Sequence, residues 1–110
     1  MRRANPIAGS FVVEAFKERE QKALEMIKDS GISYLEVGLF GSYARNEYKA
    51  NSDIDILIIV NEFPSWSLRS DLRCDLNMID VDAHFMTKEY FEHDDSRFTR
   101  HVRKDYLKVL

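Results

Sequence analysis

"GSYARNEYKANSDIDILIIV", residues 41–60, decides the fold. Its end, Ile56 to Val60, is an unbroken apolar run, the pattern of a strand buried on both faces. Two aspartates, Asp53 and Asp55, stand at the mouth of that run, separated by ten residues from the Gly41-Ser42 pair. Ionised carboxylates beside a buried strand are unfavourable unless something compensates their charge. In a strand, residues two apart project from one face, with side chains roughly 6 to 7 Å apart. Asp53 and Asp55 so placed repel each other, which raises one pKa unless a cation sits between them. Mg2+ removes the conflict, because it takes a few carboxylate oxygens together with substrate phosphates and water. Ile54, between them, points the other way into a helical layer.

Gly41 lets the backbone approach a ligand, and the helix start that follows offers unpaired N–H groups to an anion. The Ser42 hydroxyl adds a donor, and Arg45, one turn on, offers a cation for phosphate. An anion cradle and a metal platform joined by a short helix and turn suit a nucleoside triphosphate with Mg2+. Strand three, "IDVDAHFM", supplies a third carboxylate to complete a two-metal site. Asp80 and Asp82 share one of its faces with His84 and Met86, opposite Ile79, Val81, Ala83 and Phe85. Each piece alone is commonplace: Gly-Ser turns, Asp-x-Asp strand ends and surface arginines abound. Their combination at fixed spacing carries the reading.

The 110 residues make one domain, 1–110, with room for a modest core. A net charge of −3 argues against a general nucleic-acid or membrane coat, although a nucleotide remains compatible because metal ions can meet its phosphates. The single Cys74 rules out an internal disulfide and fits a reducing compartment; in its helical context it reads as a structural thiol rather than a nucleophile. No stretch approaches a membrane span, and the N-terminal segment with Arg2 and Arg3 lacks the apolar run of a signal peptide. These features predict a cytoplasmic protein.

Helices alternate with strands along the chain. A first helix runs over "FVVEAFKEREQKALEMIKDSG", with Ser10 as its cap, Val13, Phe16, Ala23, Leu24 and Ile27 as its apolar stripe, and Gly31 as its end. "ISYLEVGLF" is strand one, with Leu35, Val37 and Leu39 on one face, and Ser42 caps a short helix after Gly41. Strand two runs from Asp53 to Val60, followed by a helix with Leu68, Leu72 and Leu76 at four-residue spacing. Thr87 and Ser96 cap two further helices, and "YLKVL" adds a last strand. Phe63 and Trp66 read as local packing near a loop. The whole is a layered α+β domain, with a mixed sheet whose strand order the sequence leaves open.

"GLFGSYARNEYKANSDIDILIIV", with Gly-Ser, ten residues and Asp-x-Asp, resembles the signature of the polymerase β-type nucleotidyltransferases, and within them the minimal nucleotidyltransferase (MNT) domains of bacteria and archaea. The likeness extends through the leading helix, "LRSDL" and "VDAHFMTKEYFE". Asn46 stands where many relatives carry glycine, a change that Asn tolerates in left-handed backbone. The spacing from Asp82 to Thr87 favours Asp82 over Asp80 as the third carboxylate, with His84 a supporting or surface group. The resemblance implies a polymerase β-like fold with a mixed sheet flanked by helices. It also implies transfer of a nucleoside monophosphate, AMP from ATP, to an acceptor hydroxyl. Asp53, Asp55 and Asp82 would hold two Mg2+ ions, with Gly41, Ser42 and Arg45 on the nucleotide. Larger relatives carry additional acceptor domains, and the chain shows no aromatic-basic nucleic-acid platform, so a protein acceptor is expected. The family pairing is with a HEPN-type partner, the MNT chain serving as antitoxin. Two other readings stay open: a non-catalytic subunit that neutralises a partner by occlusion, and an antibiotic nucleotidyltransferase completed by homo-oligomerisation.

Overall fold

The computed structural model describes residues 9–110; the segment with Arg2 and Arg3 lies outside them. Along these residues run α1 (Ser10–Asp29), β1 (Glu36–Phe40), α2 (Gly41–Ala44), β2 (Ile54–Val60), α3 (Trp66–Asn77), β3 (Val81–Thr87), α4 (Lys88–His93), α5 (Arg97–Asp105) and β4 (Leu107–Lys108). The four strands form one mixed sheet in the order β3-β2-β1-β4. β1 lies antiparallel to both β2 and β4, whereas β2 and β3 run parallel. A parallel pair needs a crossover, and α3 provides it.

β2 is the centre of the molecule. Ile54, Ile56, Leu57, Ile58 and Val60 are fully buried, and Asp55 alone in the strand is only part-buried. The even-numbered side chains pack against Phe16, Ala23 and Ile27 of α1 and Leu72 and Leu76 of α3. On the opposite face Leu57 and Ile59 meet Phe40, Met86 and Val102, with Phe91 and Tyr106 completing that smaller core. Each such aliphatic side chain contributes about 1.5–3 kcal/mol by leaving water, so the strand carrying Asp55 is the most firmly held in the sheet.

The local signals mostly act as expected. Gly31 adopts a φ of +83° just after α1, as a helix-ending glycine does. Hydroxyls of Ser65, Thr87 and Ser96 accept from the backbone N–H three residues on and open α3, α4 and α5. Ser10 departs from its expected role: Gly9 occupies the cap position of α1 and Ser10 is already helical. Leu35 lies before β1 and is 51% exposed, beyond the cover of the helices. Leu68, in the first turn of α3, is also exposed, at 41%. Trp66 is 75% exposed rather than packed, while the Phe63 ring lies under the Arg69 guanidinium.

Gly38 in β1 is needed for a purely steric reason. A Cβ there would collide with the ring of Tyr106, which crosses the strand to donate a 2.7 Å hydrogen bond to Glu36 Oε2. Gly38→Ala is expected to destabilise the fold by roughly 1–3 kcal/mol, the usual cost of overpacking. Thermal unfolding of a double-mutant cycle checks this: in a Tyr106→Ala background the glycine substitution should cost close to nothing.

Candidate active site

The Gly-Ser pair and the aspartates meet through backbone register. Phe40, the last residue of β1, pairs with Asp55 on β2, so the chain turns into α2 directly beside the Asp55 carboxylate. Gly41 has a φ of +78°, and a Cβ on it would run into Asp55 Oδ2. Two independent constraints therefore demand glycine: left-handed backbone and the volume taken by a carboxylate. Ser42 does not cap α2. Phe40 holds that position, which leaves Ser42 as the second helical residue, part-buried, with a hydroxyl that has no protein partner among the described residues. Asn46 ends the turn with a φ of +61°, the geometry anticipated for it.

Asp55 pairs in register with Asp82 on the neighbouring parallel strand. Their side chains share the sheet face that carries Leu57 and Met86, and His84 joins them two residues further along β3. One ligand atom from each of Asp55, Asp82 and His84 lies within 4.8 Å of the others. His84 Nε2 is 3.3 Å from Asp82 Oδ2. The imidazole packs against two phenyl rings, Phe40 at 5.4 Å and Phe98 at 5.6 Å between ring centres. Burial, with the Asp82 charge next, pushes the Asp55 carboxyl up to about 6; Asp53 adds to the rise, and His84 and Arg45 oppose it. Two carboxylates and an imidazole nitrogen, crowded enough to hold a proton near neutrality, form a donor set that fits a divalent cation.

The remaining candidates sit differently. Asp53 precedes β2, is exposed, and is not in this cluster, although Asp55 feels its charge. Asp80 lies in the turn before β3 with a φ of +60° and serves through its carbonyl, which accepts from Ile54 N. Arg45 is engaged: its guanidinium binds Asp105 at 2.6 Å and Glu47 at 3.0 Å, tying α2 to the end of α5. Beyond Asp82, at the open edge of β3, a groove of about 350 Å³ is lined by Trp66, Arg69, Arg73 and Asn77 of α3. Arg69 Nε is buried there without a hydrogen-bond partner. The leucine spacing marks α3 as a packing helix; Arg69 and Arg73, one turn apart, are the signal of the groove that this spacing overlooks.

Residues 12–108 match the nucleotidyltransferase domain family, and the chain belongs to it. A Methanocaldococcus jannaschii protein with the provisional name of protein adenylyltransferase is 41% identical over 54 residues, 49% of this chain and 52% of its own length. A Thermococcus cleftensis protein named protein adenylyltransferase MntA is 57% identical over 30 residues, 27% of this chain and 30% of its length. These matches span about half or less of each relative. Among solved structures, a nucleotidyltransferase, provisionally so named, from Sulfolobus solfataricus superposes with a TM-score of 0.60 at 22% identity, covering 91% of this chain and 86% of its own. The complex of a tri-AMPylated Shewanella oneidensis HEPN toxin with its MNT antitoxin gives a TM-score of 0.55 at 20% identity, covering 84% and 69%. At such identities the likeness establishes the fold, the expected α+β nucleotidyltransferase architecture. No helix among the described residues is long and apolar enough to cross a membrane.

Asp55 makes stability depend on pH. Its folded value of about 6 lies above the ordinary carboxylate value of about 3.9, so the folded state binds the proton more tightly. Stability therefore falls as pH rises from about 4 through 6. Without divalent ions, Asp55→Asn should unfold at a higher temperature than wild type at pH 7.5. The gain is on the order of 1 kcal/mol once partial solvent screening is allowed for. The difference should shrink toward pH 4; a gap equal at both pH values would contradict its origin in the Asp55 charge.

Proposed function

We propose that this domain transfers AMP from ATP to a hydroxyl on a partner protein of HEPN type, acting in the cytoplasm as the antitoxin of the pair. The observation that carries the reading is the convergence of the Gly41-Ser42 turn with the paired Asp55 and Asp82 at one end of the β2–β3 pair. It is supported by the family match and by relatives named protein adenylyltransferases. Structures of the same fold add support, among them the AMPylated HEPN toxin complex and a toxin–antitoxin complex with AMP-PNP.

In this reading the amides at the start of α2 and the Ser42 hydroxyl hold the β- and γ-phosphates. Arg45 contributes charge from the far end of α2 while bound to Asp105 and Glu47. Magnesium, held by Asp55 and Asp82 with Asp53 alongside, would offset triphosphate charge and acidify the acceptor hydroxyl when bound. Asp82, the exposed member of the pair, takes the acceptor proton as general base. The acceptor oxygen bonds to the α-phosphorus, the bond from that phosphorus to the bridging oxygen breaks, and pyrophosphate leaves. The groove beside Asp82 admits the acceptor segment, with Arg69 and Arg73 supplying positive charge at its wall. Most of the rate gain then comes from positioning and charge compensation.

The direct test incubates the protein with α-labelled ATP, Mg2+ and a purified HEPN-type partner. Label should move to the partner with wild type and not with Asp55→Ala or Asp82→Ala. A tight complex that never acquires label would instead identify a binding subunit acting by occlusion. Ser42→Ala should lower kcat/KM for ATP by the equivalent of roughly 1–3 kcal/mol, the cost of one hydrogen bond to a charged group; unchanged kinetics would exclude the hydroxyl from the cradle.

A further inference from the structure

His84 changes what the carboxylate pair can bind. It sits two residues beyond Asp82 on β3, so the strand period sends it to the same face. Its Nε2 reaches Asp82 Oδ2 at 3.3 Å, and one of its ring nitrogens belongs to the three-donor group with Asp55. Phe40 and Phe98 pack against the ring and, at 6.1 Å, edge-to-face against each other, so the three rings form one cluster. An imidazole packed against two phenyl rings, with one nitrogen turned toward two carboxylates, is arranged as a ligand is. The other histidines, His93 on α4 and His101 on α5, are outside the group.

We infer that His84 is a nitrogen ligand of the cation position shared by Asp55 and Asp82, and that this position favours first-row transition ions over Mg2+, with Mn2+ serving as their paramagnetic probe. The inference rests on the proposed metal-dependent activity of the site and refines its donor set. Mg2+ is a hard ion served by oxygen donors, whereas imidazole raises affinity for ions later in the row and carboxylates keep Mn2+ among those accepted. Asp53, exposed ahead of β2, is outside this donor set and leaves the nitrogen as its third member. The alternative is that His84 only steadies Asp82 by hydrogen bonding, in which case its removal would weaken Mg2+ and Mn2+ binding alike.

The test reads coordination directly, without turnover. Mn2+ alone is added to metal-free wild type, Asp55→Asn, His84→Phe and His84→Asn, and binding and nitrogen coupling are followed by pulsed electron paramagnetic resonance. His84→Phe preserves the aromatic packing, and His84→Asn preserves polarity, so a folding defect in one leaves the other informative. Wild type should show 14N modulation that changes to a 15N pattern on labelling histidine. Both His84 variants should lose it, with Mn2+ affinity down about tenfold and Mg2+ affinity, measured by competition, within about twofold of wild type. Mn2+ bound in an Asp55-dependent way but without nitrogen coupling would overturn the His84 assignment and leave the carboxylate site standing. Equal losses for the two ions would reduce His84 to a tether of Asp82 and also overturn the assignment. Absence of any Asp55-dependent metal binding would sink the underlying metal reading and this inference with it.

Discussion

The structure is organised by one constraint: Asp55 is fixed in the strand that the rest of the molecule buries. Its neighbours on β2 are sealed between α1 and α3 on one face and the Phe40, Met86 and Val102 cluster on the other. The parallel register then sets Asp82 beside it, and the antiparallel register sets Phe40 and Gly41 at its other flank. None of the three can withdraw without breaking a ladder of backbone hydrogen bonds. The close approach of two carboxylates is thus imposed by the sheet, and Gly41 is the residue that leaves room for it.

The smaller layer keeps the face of the site in place. Arg103 donates from Nη1 to the carbonyls of Phe91 at 2.6 Å and Asp94 at 2.9 Å, joining α5 to α4. At its C-terminal end α5 is held to α2 by Arg45–Asp105 and to β1 by Tyr106–Glu36. These contacts fix Phe98, on the first turn of α5, against Phe40 and His84. The exposed parts of those ion pairs contribute little to stability; their consequence is geometric. Arg45 therefore matters to the site even while its guanidinium is occupied by carboxylates, because it closes the link between the Gly41-Ser42 turn and the helix that packs against the imidazole.

What could be read in the sequence was whatever depends on local chemistry or strict periodicity. The run Ile56 to Val60 announced a doubly covered strand, Thr87 and Ser96 announced helix starts, and the period of two put Asp82 and His84 together. The same period grouped Asp53 with Asp55; Asp53 stands one residue ahead of Ile54, exposed, and acts on Asp55 through its charge. It likewise grouped Asp80 with Asp82, and a left-handed turn removes Asp80 from that face. Contacts between distant residues left no local trace. Arg45 meets Asp105 across 60 residues, so an arginine that looked available for phosphate could not be seen to have partners. Tyr106 over Gly38 is of the same kind. The overlooked Arg69 and Arg73 were visible as a spacing but not as a groove, because the groove exists only once β3 is the sheet edge.

A strained charge pair in a rigid frame has a thermodynamic consequence. Separation of Asp55 and Asp82 is prevented by register, so relief must come from a proton or from a ligand. The Asp55 carboxyl takes up its proton at about pH 6, which places relief by this route just below neutrality. Above that range only a bound cation serves, and whatever binds the folded site alone stabilises it, by about 2.7 kcal/mol at a ligand concentration one hundred times Kd. Binding and folding are thereby coupled through one carboxylate. Because the same carboxylate abuts Gly41, a cation that orders Asp55 also orders the Gly41-Ser42 turn. The two halves of the site cannot shift independently, and that coupling follows from backbone register rather than from any flexible element.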